Sequence, residues 1–184
     1  MVQAVPRPLT VHDFMDLPEG PPFYQLVEGD FFMSSPPSGF HQDIAGNVFF
    51  ILKNYLREHS IGKVGISPYG VYLTDINAYL PDVFYVSRKR RALFSKRGVE
   101  GAPDLVVEIL SPSTAHLDKG SKRIIYSRVG VVELWLIDPE LKEIHVFHLR
   151  KDPDAPVAVY GEEEIFSSPL FPGLKFSGAE IFAV

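Results

Sequence analysis

The sequence predicts an α/β (α+β) fold in which a mixed β-sheet is flanked by helices. Three observations predict it. Residues 41–58 place Ile44, Val48, Ile51, Leu52 and Tyr55 on one apolar stripe at helical spacing. Short apolar runs at residues 82–86, 104–110 and 131–137, rich in β-branched and aromatic residues, have the length and character of buried strands. Pro and Gly punctuate the chain between these segments. The resulting order of hairpin, helix, several strands, helix and more strands suits a sheet with helices packed on it. A chain of 184 residues suits one domain able to bury a full core. It shows no repeat and no linker. Residues 1–184 therefore read as a single domain, with 1–35 as an N-terminal helix and hairpin extension.

Residues 10–17 read as a short helix, with Thr10 as N-cap and Asp13 as the acid of a capping box. Residues 23–27 and 31–34 flank Glu28-Gly29-Asp30 as a hairpin, and a Pro-rich loop follows at 34–39. After the helix at 41–58, strands are expected at 63–67 and 70–73 around Pro68. Pro81 opens the strand at 82–86. Ser111-Pro112-Ser113-Thr114 ends the strand at 104–110 and caps a helix at about 117–129. Residues 131–137 and 143–149 form a further pair of strands, and short strands lie near 157–160 and 173–176.

Composition narrows the chemistry. The chain has no cysteine, which excludes thiolate zinc sites, cysteine nucleophiles and disulfides. No apolar run reaches the roughly 18 residues of a membrane span, and residues 1–10 lack the apolar run of a signal peptide. A cytoplasmic, non-membrane protein is expected. The net charge is −5 and the pI about 5.7, yet Arg88, Lys89, Arg90, Arg91, Lys96 and Arg97 share one window without acids. That window is either a solvated helix or loop, or a contact surface for phosphates.

The chemistry-bearing residues are carboxylates. Glu108 sits inside an apolar strand, where a charge is costly unless it is paired or metal-bound. Alternation puts Asp104, Val106, Glu108 and Leu110 on one face. Asp82 heads another strand. If the two strands pair, both carboxylates point into one cleft, and two hard oxygen donors suit Mg²⁺ or Mn²⁺. The competing readings are a structural Glu108 bound to a lysine or arginine elsewhere, and a strand-entry turn for Asp82. Asp118 and Lys122, and Lys122 and Tyr126, are four apart on one helical face, the spacing of an ordinary surface ion pair. Glu28 at the hairpin turn and His41 at the start of the long helix are supporting candidates. His145 and His148, three apart in a strand, face opposite sides and cannot share a metal. No nucleophile elbow, phosphate-binding loop or dinucleotide fingerprint is present.

The Pro81-Asp82 pair followed 26 positions later by Glu108 in an apolar strand resembles the PD-(D/E)XK nuclease superfamily. More closely, the chain is similar to the Uma-two family of restriction endonuclease-like proteins. The likeness is carried by residues 24–30, by residues 98–114, by Asp118, Lys122, Tyr126 and Gly130-Val131, and by Trp135-Leu136-Ile137-Asp138-Pro139. It spans about residues 10–182. The resemblance implies a restriction-endonuclease-like fold and Mg²⁺- or Mn²⁺-dependent hydrolysis of DNA phosphodiester bonds by Asp82 and Glu108. The superfamily pattern has a lysine two residues after the second acid, where this chain has Leu110. The resemblance implies that Lys122 reaches the site from the following helix. Gln25 stands where the family often has Glu. The basic window is then expected to flank the cleft and hold the DNA backbone, and a homodimer would offer one site per strand of a duplex. The alternative is a catalytically inactive nucleic-acid-binding or regulatory protein on the same fold; a protein-interaction module is a third.

Overall fold

The computed structural model describes residues 7–18 and 20–184. Residues 1–6, part of the stretch read for a signal peptide, lie outside the described residues. In chain order the elements are α1 (Val11–Met15), β1 (Tyr24–Val27), β2 (Asp30–Met33), α2 (Gly39–Glu58), β3 (Gly62–Ile66), β4 (Val71–Thr74), β5 (Asn77–Tyr79) and β6 (Val83–Ser87). A 3₁₀ helix (Arg88–Leu93) leads to β7 (Val99–Glu100) and β8 (Leu105–Ile109). Next come α3 (Ala115–Leu117), a π-helical turn (Asp118–Lys122) and α4 (Arg123–Val129). The chain ends with β9 (Glu133–Asp138), β10 (Glu143–His148), β11 (Ala158–Tyr160), β12 (Ile165–Phe166), β13 (Phe176–Ser177) and α5 (Gly178–Phe182).

The strands form a six-stranded sheet in the order β11-β10-β9-β8-β6-β3, a five-stranded sheet β2-β1-β5-β4-β7, and the small pair β12-β13. In the larger sheet β8 and β9 are parallel and the other neighbours antiparallel. The parallel pair requires a crossover, which α3 and α4 supply.

Strand alternation decides which helix each face receives. Leu105, Val107 and Ile109 of β8 join one core cluster with Ile44, Val48 and Leu52 of α2. Val106 and Leu110 join the other cluster with Ile125 and Tyr126 of α4. Glu108 therefore projects to the α4 face, among residues that bury apolar surface. The helix α2 starts at Gly39, two residues before the expected start, because the Ser38 hydroxyl accepts the His41 N–H at 3.2 Å as an N-cap. Thr10 and Asp13 close the expected capping box on α1.

Candidate active site

The strands β6 and β8 pair, with Val83 opposite Val107. The next step of the register sets Asp82 beside Glu108 at the end of the sheet. One Asp82 oxygen (Oδ2) accepts the Ile109 N–H at 2.7 Å, tying the entry of β6 to β8. His41, one turn into α2, brings Nε2 to 3.4 Å from the same oxygen and 3.1 Å from the Ile109 carbonyl. The helix start, the strand entry and the strand exit thus meet at one point.

Glu108 is approached from the opposite wall. Lys122 Nζ lies 2.6 Å from Glu108 Oε1 and 2.7 Å from Asp118 Oδ1, and the Tyr126 hydroxyl donates to Glu108 Oε1 at 2.6 Å. Side-chain exposure is 4% for Glu108 and 3% for both Lys122 and Asp118, so this is no surface ion pair. The π-helical turn permits it. Gly120 leaves helical geometry there (φ −108°, ψ −110°), between the two residues that must both turn inward; such turns are common at functional sites. Below the ammonium lies the Tyr79 ring, 5.5 Å from Nζ, and the Tyr79 and Tyr126 rings meet edge to face.

The cluster holds two acids and one base in little water, and its protonation follows. Burial pushes the Glu108 carboxyl up to about 8, with Lys122 opposing the shift and Asp118 and Asp82 adding to it. Burial alone would lower Lys122, but the Glu108 and Asp118 carboxylates outweigh it and hold the ammonium charged. Burial, then Glu108, raises the Tyr126 phenol well above its ordinary range, so it remains a donor. His41 is lowered by burial and raised more by its bond and charge contact to Asp82; the net direction is up.

His41, Asp82, Glu108, Asp118 and Lys122 line one cleft of about 1250 Å³. Its walls carry Asp82, Glu108, Asp118, Asp138 and Glu140 against only two lysines, Lys119 and Lys122. Gln25 also lines it and is held by the Leu80 N–H at 3.1 Å and by Ser34. Among the described residues no hydrogen bond occupies Asp82 Oδ1 or Glu108 Oε2, and the Ile109 carbonyl lies beside Asp82. That is a hard-oxygen donor set. Among the described residues no three His, Asp or Glu side chains converge to hold a metal. The two free oxygens, Asp82 Oδ1 and Glu108 Oε2, are the ones that could ligate a hard cation such as Mg²⁺.

Several expected residues stand elsewhere. Glu28 is exposed at the β1–β2 turn in a left-handed conformation (φ 51°), its N–H bonded to Asn77, and it does not line the cleft. The basic window does not flank the cleft as expected. Asp82 and Arg88 stand at opposite ends of β6, about 20 Å apart at the rise of a strand. Arg90 is engaged by Asp104 at 3.2 Å, and none of Arg88, Lys89, Arg91, Lys96 or Arg97 lines the cleft. Ser111 bonds Thr114 in the turn after β8, as a chain-reversing residue does. His145 and His148 take separate partners, Glu143 and Glu133. Sequence reasoning missed Tyr79, the Ile109 carbonyl and the apolar wall of Phe23 and Met33. The first two carried no signal beyond an aromatic and a backbone atom.

A sequence profile described as "Putative restriction endonuclease" matches residues 11–179. The fold is similar to that of a crystallised putative nuclease belonging to DUF820 from Anabaena variabilis, with TM-score 0.80, 21% identity, and coverage of 96% of this chain and 98% of that one. No curated protein matches the sequence.

Proposed function

The chain belongs to the Uma2 family of putative restriction endonucleases, and we propose that it is a metal-dependent endonuclease hydrolysing phosphodiester bonds in DNA. The observation that carries the reading is Lys122, which reaches Glu108 from the helix and so offers the cation that Leu110 lacks. The acid excess of the cleft supports a metal requirement, because five acids stand against two lysines, and even with Glu108 protonated that balance repels a phosphate unless a cation intervenes. Asp82 and Glu108 would hold Mg²⁺ or Mn²⁺, which supplies polarisation of a phosphoryl oxygen and acidification of water.

The chain's own groups have distinct tasks. Lys122 places a fixed positive charge where negative charge grows on the phosphate. Asp118 keeps that lysine charged and fixes its direction. Tyr126 holds the Glu108 carboxylate in one orientation through its hydroxyl, and His41 does the same for Asp82. Arg88, Lys89, Arg91, Lys96 and Arg97 would take up the nucleic-acid backbone at a distance from the scissile bond, with Arg90 committed to Asp104.

The test is plasmid cleavage with Mg²⁺ or Mn²⁺. Asp82→Asn and Glu108→Gln should each lower the rate by at least about 100-fold. If the purified wild type cuts no better than either variant, the reading fails. Salt-sensitive DNA binding with no uptake of Mn²⁺ would instead support the non-catalytic alternative, which Leu110 in the second core cluster favours.

A further inference from the structure

We propose that the cleft receives a strand whose bases are unpaired, and that one base seats against Phe23 and Met33. The proposal rests on the nuclease reading above and names the substrate form. The reactive groups are recessed: the Glu108 and Lys122 side chains expose only 4% and 3% of their surface. Around them the cleft is walled by the segments before and after the β1–β2 hairpin, including Pro21, Pro22, Pro36 and Pro37. Phe23 and Met33 line this wall yet stay 37% and 61% exposed. Large apolar side chains held at the mouth of a polar site present a face to something flat and apolar. A nucleobase has such a face, and aromatic platforms bind single strands by stacking on it without regard to sequence.

Charge points the same way. A duplex is held mainly by neutralising several phosphates along both strands, and the cleft offers only Lys119 and Lys122, with Lys119 itself 3.9 Å from Asp138. The remaining basic window lies a strand's length away. A duplex is also stiff, with a persistence length of about 50 nm, so bending a short site toward a recessed carboxylate costs free energy. An unpaired strand avoids that cost. At about 1250 Å³ the cleft exceeds the roughly 300–1,000 Å³ of small-molecule sites, which leaves room for a nucleotide together with its neighbours. Taking a base out of its stack carries a cost in a duplex, and the least when the strand is already single.

The experiment uses the full chain with Mn²⁺ and three labelled DNA probes: a short single strand, its blunt duplex, and the single strand carrying an abasic nucleotide at the cleaved position. Cleavage and anisotropy are both read. The single strand should be cut at least about tenfold faster than the duplex, and the abasic strand should bind more weakly. Phe23→Ala should weaken single-strand binding by about 5- to 150-fold, the range of one lost stacking contact, and Phe23→Trp should restore it. The Phe23→Ala chain should unfold within a few degrees of wild type, since the ring is already partly in water. Equal or faster cutting of the duplex, or single-strand binding indifferent to Phe23→Ala, overturns the inference and leaves the nuclease reading standing. Phe23-dependent binding with no cleavage overturns the nuclease reading and keeps the seat. Neither binding nor cleavage of any probe overturns both.

Discussion

Replacing Lys122 by Met removes one charge while keeping most of the side-chain volume. The cost follows from the cluster it serves. Lys122 compensates two carboxylates, Glu108 and Asp118, both almost without solvent. In the wild type one acid is already held protonated, Glu108 with its carboxyl pushed up to about 8. Without the ammonium two buried acids face each other with no cation between them. The added destabilisation is about 4 kcal/mol, within the roughly 3–5 kcal/mol of a broken buried pair. The sign is fixed by proton binding: a carboxyl whose folded pKa is raised binds more protons folded than unfolded, so stability is lost as pH rises. Wild type should lose stability between about pH 4.5 and 8 through Glu108, and Lys122→Met, which removes the charge opposing that shift, should go on losing it above pH 8. Thermal unfolding reads this as a drop of roughly 8–16 °C at pH 7, at about 2–4 °C per kcal/mol for a chain of this size. Adding Asp118→Asn should recover most of it. A loss below about 0.5 kcal/mol, or one independent of pH, would mean that Lys122 is a surface ion-pair partner and that the buried cluster is wrong.

Three further outcomes are expected. Asp82→Asn keeps an oxygen that can accept the Ile109 N–H, so it should unfold within about 4 °C of wild type while calorimetry shows Mn²⁺ uptake abolished. Mn²⁺ affinity in the wild type should rise by up to about tenfold per pH unit toward pH 8, because binding must displace the proton on Glu108; a flat profile would exclude Glu108 as a ligand. Ser168→Ala removes a 2.8 Å hydrogen bond to the fully buried Glu133, which the Trp135 indole also serves. It should cost about 1–2 kcal/mol and lower the unfolding temperature by about 2–8 °C. Per-molecule cleavage should not change, since neither residue lines the cleft.

What the sequence discloses here depends on whether a signal is local. The helix α2 is legible because Ile44, Val48 and Leu52 repeat at its own period and face one core. The strand β8 is legible as an apolar run, and its alternation puts Glu108 on the correct face. The short elements are not legible. β5 has three residues and β7 two, and each exists because a distant partner accepts it: Leu26 pairs with Ala78, and Val71 with Val99. The hairpin read as an extension belongs to that five-stranded sheet for the same reason. The spacing of Asp118 and Lys122 shows that they can pair, but only the packing of α4 on β8 makes the pair buried. Nor does closeness in sequence place the basic window, since a strand carries its two ends apart.

In the proposed nuclease, a lysine supplied from position 122 would change how the site works as well as where its charge comes from. A lysine at position 110 would extend from the same strand face as Glu108, in line with it. Leu110 instead packs with Val106, Tyr126 and Leu136, only 7% exposed, and its face of the strand is given over to the core. Lys122 enters across the cleft from the crossover helix, and its ammonium and the Tyr126 hydroxyl converge on a single Glu108 oxygen. The other oxygen carries no hydrogen bond, and in the proposed nuclease it would take the metal. One carboxylate would then do two things at once: ligate through one atom and fix the cationic group through the other. Both partners on that oxygen belong to one short stretch of helix, four residues apart, so any shift of α4 on β8 moves the charge and the ligand together. Such coupling favours fixed geometry in the transition state over adaptability. In the proposed nuclease Glu108 and Lys122 would therefore act as one unit, whose separate contributions to rate do not add.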